Sequence, residues 1–336
     1  MQIEHQVSLR SFNTFGMDAT ASHLVRCASV DSVLELMDTP IAEKLLVLGG
    51  GSNILFTRNV EGVVLKNEIR GIEVIDSDDE FVRVRAGAGE NWHALVCFCV
   101  EKGYGGMENL SLIPGNAGAS PIQNIGAYGV ELKDIFDSLE AVHIGDKSLH
   151  TFHAADCGFG YRESVFKSRY RNQFIITSVT FRLRKKPVFH IEYGPIRQEL
   201  ERMAVKELSI KAIARAVINI RSSKLPDPSV IGNAGSFFKN PVVDQQQFGQ
   251  ISSAFPDVVS FPAPDEKFKL AAAWLIEQCG WRGYRRGDAG CHDKQALVLV
   301  NYGRARGSEI RDLANEIIAS VFRKFGVQLE TEVNIY

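Results

Sequence analysis

The chain predicts an α+β fold with much antiparallel pairing, and three observations carry the prediction. Strand-like apolar runs at 45–48, 62–66, 72–75 and 81–86 follow one another with little helical sequence between them. Helical periodicity is concentrated later, at 196–221, 265–278 and 308–325. Between the two lies residues 111–129, where Gly115, Gly118, Gly126 and Gly129 rule out both an amphipathic helix and a half-buried strand.

In chain order, residues 24–27 form a short apolar strand candidate. Ser32 with Glu35 makes a capping-box pattern before a short helix. Leu45–Leu48 reads as a buried strand that empties into Gly49-Gly50-Gly51-Ser52-Asn53. In 81–86, Phe81, Arg83 and Arg85 alternate with Val82, Val84 and Ala86, which is a strand with one buried face. A helix over 91–102 stops at Gly103. Beyond the glycine loop, 139–144, 174–184 and 188–193 read as strands. Past Pro195 come two helices in 196–221, the second capped by Ser209. A helix over 265–278, a buried strand at 296–300 and a helix over 308–325 ending at Gly326 follow. The last residues read as a strand with Leu329, Thr331, Val333 and Ile335 on one face.

Composition narrows the function classes. The 336 residues suffice for two or three domains. They are 45% hydrophobic and 23% charged, as in ordinary globular enzymes. Lys plus Arg (38) nearly balance Asp plus Glu (40), which argues against a nucleic-acid or anionic-membrane partner. The cluster at 182–186 reads as a solvated strand end. The first residues lack a secretory pattern, and no apolar run reaches the ~18 residues that span a bilayer. Cys27, Cys97, Cys99, Cys157, Cys279 and Cys291 form no C-x-x-C pair, so reduced thiols and a cytoplasmic location are expected. His292 beside Cys291 has no second clustered pair, so no metal site is expected.

Two kinds of stretch carry chemistry. The 49–53 turn after a strand, and the 111–129 loop, offer bare backbone amides suited to a phosphate or a large planar or anionic ligand. Ile54 stands where a dinucleotide fingerprint would need its third glycine, and a glycine-rich surface turn is the bland alternative. Residues 232–241, Gly-Asn-Ala-Gly-Ser-Phe-Phe-Lys-Asn-Pro, repeat the Gly-Asn-Ala-Gly of 115–118 with different flanks. Ser236 there is either a presented hydroxyl or a plain turn residue. No Gly-x-Ser-x-Gly elbow surrounds it. Arg162, among glycines, suits a carboxylate clamp or an ion pair with Glu163. Lys224, Glu332 and Tyr193 have ordinary readings as a solvent lysine, a strand carboxylate and a half-buried anchor.

Taken together, Asn13-Thr-Phe-Gly16, Leu48–Asn53, Ile113-Pro-Gly115, Ser120–Gly129, Gly160-Tyr-Arg162, Lys224-Leu-Pro-Asp-Pro228, residues 232–241, Lys294–Asn301 and Leu329-Glu-Thr-Glu-Val333 run in an order that resembles the UDP-N-acetylenolpyruvoylglucosamine reductase family, type I. The resemblance spans nearly the whole chain. It implies a two-subdomain FAD-binding fold of the vanillyl-alcohol-oxidase (PCMH) type and a separate α+β substrate domain. The boundaries expected are 1–67, 68–205 and 206–326, with 327–336 returning to the first. FAD would be held by Gly49, Gly50, Gly51, Ser52, Asn53 and Ile54. The central loop would add Pro114, Gly115, Gly118, Ala119 and Ser120, then Gln123, Asn124, Gly126, Ala127, Tyr128 and Gly129.

The same resemblance implies that NADPH reduces FAD, which then reduces a UDP-sugar enolpyruvyl ether to UDP-N-acetylmuramate for peptidoglycan. Arg162 would bind the developing negative charge, Ser236 would donate the proton and Glu332 would stabilise the enol-like intermediate. Lys239 or another nearby lysine would support Ser236. Tyr193, Lys224, Asn240 and Gln295 would contact substrate. A monomer is expected. The rivals are an FAD-dependent oxidase or dehydrogenase of another sugar or alcohol, and a nucleotide-sugar-binding module without catalysis.

Overall fold

The computed structural model describes residues 2–336. The chain divides into two compact units. The first holds the residues up to Val7, Ala21–Gly50 and Val60–Ser223; the second holds Ser8–Thr20, Gly51–Asn59 and Lys224–Tyr336.

The first unit is built on two sheets. A four-stranded sheet runs in the order Ile3–Ser8, Thr20–Cys27, Val60–Asn67, Leu45–Leu48. Val60–Asn67 is parallel to both of its neighbours. Parallel neighbours need a crossover, and the helix Val30–Met37 supplies one. Its capping box joins Ser29 to Ser32, three residues before the Ser32 and Glu35 pair expected from sequence. The Ser32 hydroxyl performs the reciprocal task usually given to a carboxylate. The second sheet is antiparallel, in the order Leu149–His153, Phe136–His143, Phe174–Arg184, Phe81–Gly87, Ile72–Ser77.

Phe81–Gly87 alternates as its sequence demands: Val82, Val84 and Ala86 are buried, while Phe81, Arg83 and Arg85 are half-exposed. The helix Trp92–Glu101 packs on this sheet. Asn91 caps it by accepting from Ala94 N at 2.9 Å. Trp92 is buried, with Nε1 donating to Leu110 O at 2.9 Å. Buried Asn67 ties the two sheets together by donating to Ile176 O at 2.9 Å. The helices Ile196–Arg202 and Ile210–Lys224 share a smaller apolar cluster through Ile196, Leu200, Ile213 and Val217. Ser209 caps the longer one by accepting from Ala212 N at 3.2 Å.

In the second unit, an antiparallel sheet orders Gly232–Ser236, Val298–Asn301, Ala289–Cys291 and Arg285–Arg286. Another orders Val242–Val243, Lys267–Leu270 and Ser260–Ala263. The helix Gly307–Phe325 buries Ile310, Leu313, Ile317 and Val321, and Gly326 ends it at φ +67°. Ile54–Leu55 pairs in parallel with Asn334–Ile335.

Three sequence expectations need correction. The helix read over 265–278 is only Ala272–Gln278, preceded by the strand Lys267–Leu270. Asp265 and Glu266 turn this hairpin at φ +58° and +56°, so the apparent helical period crosses a turn. Residues 188–193 form no strand; Pro187 removes a donor and Gly194-Pro195 turns the chain away. Of the terminal run, Asn334–Ile335 alone forms a strand, with a further isolated bridge between Phe238 and Thr331. Its alternation survives in the burial of Leu329 and Val333.

Candidate active site

The first unit assembles a cradle of glycines. Trp92 N donates to Gly115 O at 3.0 Å, Ala117 N to Glu90 O at 2.8 Å and Gly118 N to Ala88 O at 3.0 Å. Asn116 Nδ2 adds a bond to Gly89 O at 2.8 Å. The loop is thereby stitched to the turn before the Trp92 helix. A Cβ on Gly50 would lie 2.7 Å from Asn116 Oδ1 and 2.8 Å from Gly115 Cα. A Cβ on Gly118 would lie 2.4 Å from Ala88 Cβ. Two backbones approach here more closely than any side chain permits, so their faces stay bare for a flat or anionic ligand. Pro114 and Ala119 are exposed on the loop, and Gln123 is half-buried. Ser120 is occupied internally, donating to Ala117 O at 2.6 Å.

Asn124 is fully buried at φ +43°. Its Nδ2 donates to Glu131 Oε2 at 3.0 Å and Gly160 O at 2.9 Å, and its Oδ1 accepts from Lys133 N at 3.0 Å. What Asn124 offers a ligand is loop shape, since its side chain is spent on the protein. Gly126–Ala127 and Val130–Glu131 form a hairpin around Tyr128 and Gly129, at φ +50° and +82°. Two positive φ values in a two-residue loop define a type I′ turn. Arg162 approaches this hairpin, with Nη2 donating to Gly126 O at 2.7 Å. Its own φ is +55°, a costly setting for a residue with a Cβ, in the tight turn closed by the Gly160 and Glu163 backbone pair. Tyr193 stands edge-on to Tyr128, centroids 6.2 Å apart, and is 46% exposed.

The second unit gathers the other group. Gly51, at φ +64°, leaves a Cβ position 1.9 Å from Phe12 O. Thr14 N donates to Gly51 O at 3.0 Å, and Asn233 N to Thr14 O at 3.0 Å. Buried Asn13 holds that bend by donating to Leu9 O and Met17 O and accepting from Met17 N. The Asn13-Thr-Phe-Gly16 motif is therefore a brace between the Gly51 turn and the Gly232–Ser236 strand. Ser236 pairs with Val298 and follows Gly235, at φ +69°. Glu332 N donates to Phe237 O at 2.8 Å, and Asn53 Nδ2 to Glu332 O at 3.3 Å. Ser236, Glu332 and Asn53 are thus brought to one corner.

Ile54 begins the short strand beside Asn334. Gln295 is near the same corner: its carbonyl accepts from Val298 N at 3.0 Å, and its Oε1 from Leu297 N at 3.3 Å. Asn240 Oδ1 accepts from Ala272 N at 3.0 Å, at the start of the helix Ala272–Gln278. Ser52 lies in the turn and Lys224 is exposed. Lys239, a candidate support for Ser236, pairs with the exposed Glu330 at 3.1 Å. His292, set aside as a metal ligand, accepts from Lys294 N at 3.3 Å and faces Asp293 at 3.3 Å. Burial pushes the Cys99, Cys157 and Cys291 thiols up to about 12, and all six cysteines are free.

Sequence reasoning missed several residues of the first unit. Lys66 donates to Gly49 O, and burial lowers its pKa from the ordinary lysine value. Arg221 donates from Nε to Leu112 O at 3.2 Å and hydrogen-bonds Tyr128. Burial lowers the Arg221 pKa and raises that of Tyr128. His93 accepts from Leu112 N at 3.0 Å, and burial, then the Arg221 charge, lowers its pKa. Asn109 bridges two segments across the loop. None lies in a glycine run, so no local signal marked it.

Residues 227–336 match the family described as UDP-N-acetylenolpyruvoylglucosamine reductase, C-terminal domain, and residues 21–152 match the FAD binding domain family. The UDP-N-acetylenolpyruvoylglucosamine reductase of Flavobacterium johnsoniae is 46% identical over 336 residues, all of both chains. That of Burkholderia lata is 50% identical over 328 residues, 96% of this chain and 94% of its own. The crystal structure of the reductase from Thermus caldophilus superposes with a TM-score of 0.67 at 24% identity, over 100% of this chain and 99% of that one. This last likeness concerns the fold, and with the two family matches it bears out the α+β, FAD-binding class and the separate C-terminal domain.

Proposed function

The chain belongs to the UDP-N-acetylenolpyruvoylglucosamine reductase family, and from that premise we propose that it reduces the enolpyruvyl ether of a UDP-N-acetylglucosamine to UDP-N-acetylmuramate for peptidoglycan. The observation that carries the reading from family to chemistry is that Glu332 is tied by its backbone to Phe237, the neighbour of Ser236, and to Asn53. FAD suits the glycine cradle, because a Cβ at Gly50 or Gly118 would collide with backbone or a neighbouring side chain. The residues that would hold it are Gly49–Ile54 with Pro114, Gly115, Gly118, Ala119, Ser120, Gln123, Asn124, Gly126, Ala127, Tyr128 and Gly129, and NADPH is the reductant. When bound, FAD supplies the hydride that the enolpyruvyl methylene carbon accepts.

The protein's own residues manage charge and protons. Electron density left on the adjacent carbon and its carboxylate meets Arg162, whose fork matches two oxygens. Ser236 gives its hydroxyl proton to that carbon, which completes the two-electron reduction of the double bond. Glu332 stabilises the enol-like intermediate beside it. Tyr193 and Lys224 hold the diphosphate, and Asn240 and Gln295 orient the sugar nucleotide. Binding in this way spends contacts on the charge that develops, which is what accelerates the step. The protein acts as a cytoplasmic monomer. No described helix is long and apolar enough to cross a membrane.

Stopped-flow half-reactions test the assignment. In Ser236→Ala, flavin reduction by NADPH stays within about twofold of wild type. Reoxidation by the enolpyruvyl substrate slows by roughly 10²–10⁴-fold, the range for loss of a general acid. Equal slowing of both halves would remove Ser236 from proton donation. A wild-type protein that turns over with oxygen alone would point to an oxidase instead.

A further inference from the structure

We infer that Asn109 is a positioning residue for Tyr193, an assignment that rests on the substrate role proposed for that tyrosine. Asn109 sits in the single helical turn Glu108–Leu110 and is 1% exposed. Its backbone is pinned on both sides: Trp92 Nε1 donates to Leu110 O at 2.9 Å, and Ser111 Oγ to Glu108 O at 2.7 Å. From this base the amide nitrogen donates to Tyr128 O at 2.9 Å and to His190 O at 2.8 Å. A carboxamide nitrogen has two hydrogens, and these contacts use both. Oδ1 is buried with no hydrogen-bond partner, a desolvation cost that an apolar residue of this size would avoid. The two carbonyls give the chain a reason to carry it.

Those carbonyls belong to segments that need an external fastener. Tyr128 lies in the type I′ turn. Residues 188–193 join no sheet. Tyr193, three residues after His190, rests on the turn: the Cβ position of Gly129 is 3.4 Å from Tyr193 Cβ, and the Tyr128 and Tyr193 rings stand at 86°. One amide therefore sets the spacing between the FAD-side turn and the stretch that presents Tyr193.

Asn109→Asp keeps the shape and turns two donors into acceptors facing two carbonyls. The expected result is a KM for the UDP-sugar substrate raised about tenfold or more, the scale of two lost hydrogen bonds. kcat stays within about threefold, while FAD content and the NADPH half-reaction remain as in wild type. Hydrogen exchange across residues 188–193 quickens. Asn109→Ala gives the same pattern by deletion and serves if the aspartate variant does not fold. In a Tyr193→Ala background, Asn109→Ala adds less than about twofold to KM, because residues acting through one another are not additive. Unchanged KM, equal losses in the NADPH half-reaction, or full additivity with Tyr193→Ala would each overturn the assignment. A wild-type enzyme inert toward the UDP-sugar would sink the functional reading instead, and the exchange measurement would still decide whether Asn109 fastens the segment.

Discussion

Gly115-Asn116-Ala117-Gly118 in the first unit and Gly232-Asn233-Ala234-Gly235 in the second are the same four residues put to opposite uses. In the first, both glycines make close approaches: Gly115 Cα is 2.8 Å from the Cβ position of Gly50, and the Cβ position of Gly118 is 2.4 Å from Ala88 Cβ. In the second, the first glycine does, 2.3 Å from Phe15 O, while Gly235 faces open space at φ +69°. The asparagines diverge in the same way. Asn116 reaches outward to Gly89 O. Asn233 is 2% exposed and fastens its own loop, donating to Pro226 O and Ile231 O and accepting from Gly235 N. Alanine in the first motif opens a one-turn helix; in the second it continues a strand. A short motif of this kind announces that backbone will meet something closely. What it meets is decided by residues far away in the chain.

Substitutions can break this contrast at graded cost. The largest effect is expected from Gly118→Ala, where the new methyl overlaps Ala88, a turn residue whose backbone is held by its bonds to Thr177 O and Gly118 N. Destabilisation of about 3 kcal/mol and loss of bound FAD should follow, measured by thermal unfolding and by the flavin absorbance of the purified protein. Asn233→Ala comes next, at about 2 kcal/mol, because Pro226 O, Ile231 O and Gly235 N lose a buried partner. Flavin absorbance should persist in that variant while thermal stability falls. The smallest effect belongs to Gly235→Ala, about 1 kcal/mol for a left-handed residue with room around it. Should Gly235→Ala prove worse than Gly118→Ala, the division into tight and open glycines would be wrong.

Much of the fold was legible because it rests on local periodicity. Phe81–Gly87 alternates in sequence and in burial. The helix Gly307–Phe325 starts and stops within a residue of the expected bounds, its end marked by Gly326. Where periodicity misled, a backbone setting intervened. The positive φ values of Asp265 and Glu266 fold a hairpin into what reads as helix. The Ser29 box won over the Ser32 and Glu35 pattern because either serine can cap, and only the start of the helix chooses. The candidate site divides along the same line. The close-packed glycines, Ser236 and Arg162 stand in recognisable glycine contexts, whereas Lys66, Asn109 and Arg221 sit in unremarkable stretches and gain meaning from partners.

By itself the sequence determined the strand and helix periods, the position of the two glycine loops, and the family. These are properties of neighbouring residues, set by side-chain spacing and by the φ angles that glycine permits. That Ala117 N and Gly118 N would be taken up by Glu90 O and Ala88 O it did not show. Tertiary structure alone decided that Asn53 would reach a carbonyl 279 positions away at Glu332, and that Asn109 would hold Tyr128 and His190 at one spacing. Such contacts depend on where folded backbones pass one another, and no run of adjacent residues carries that information.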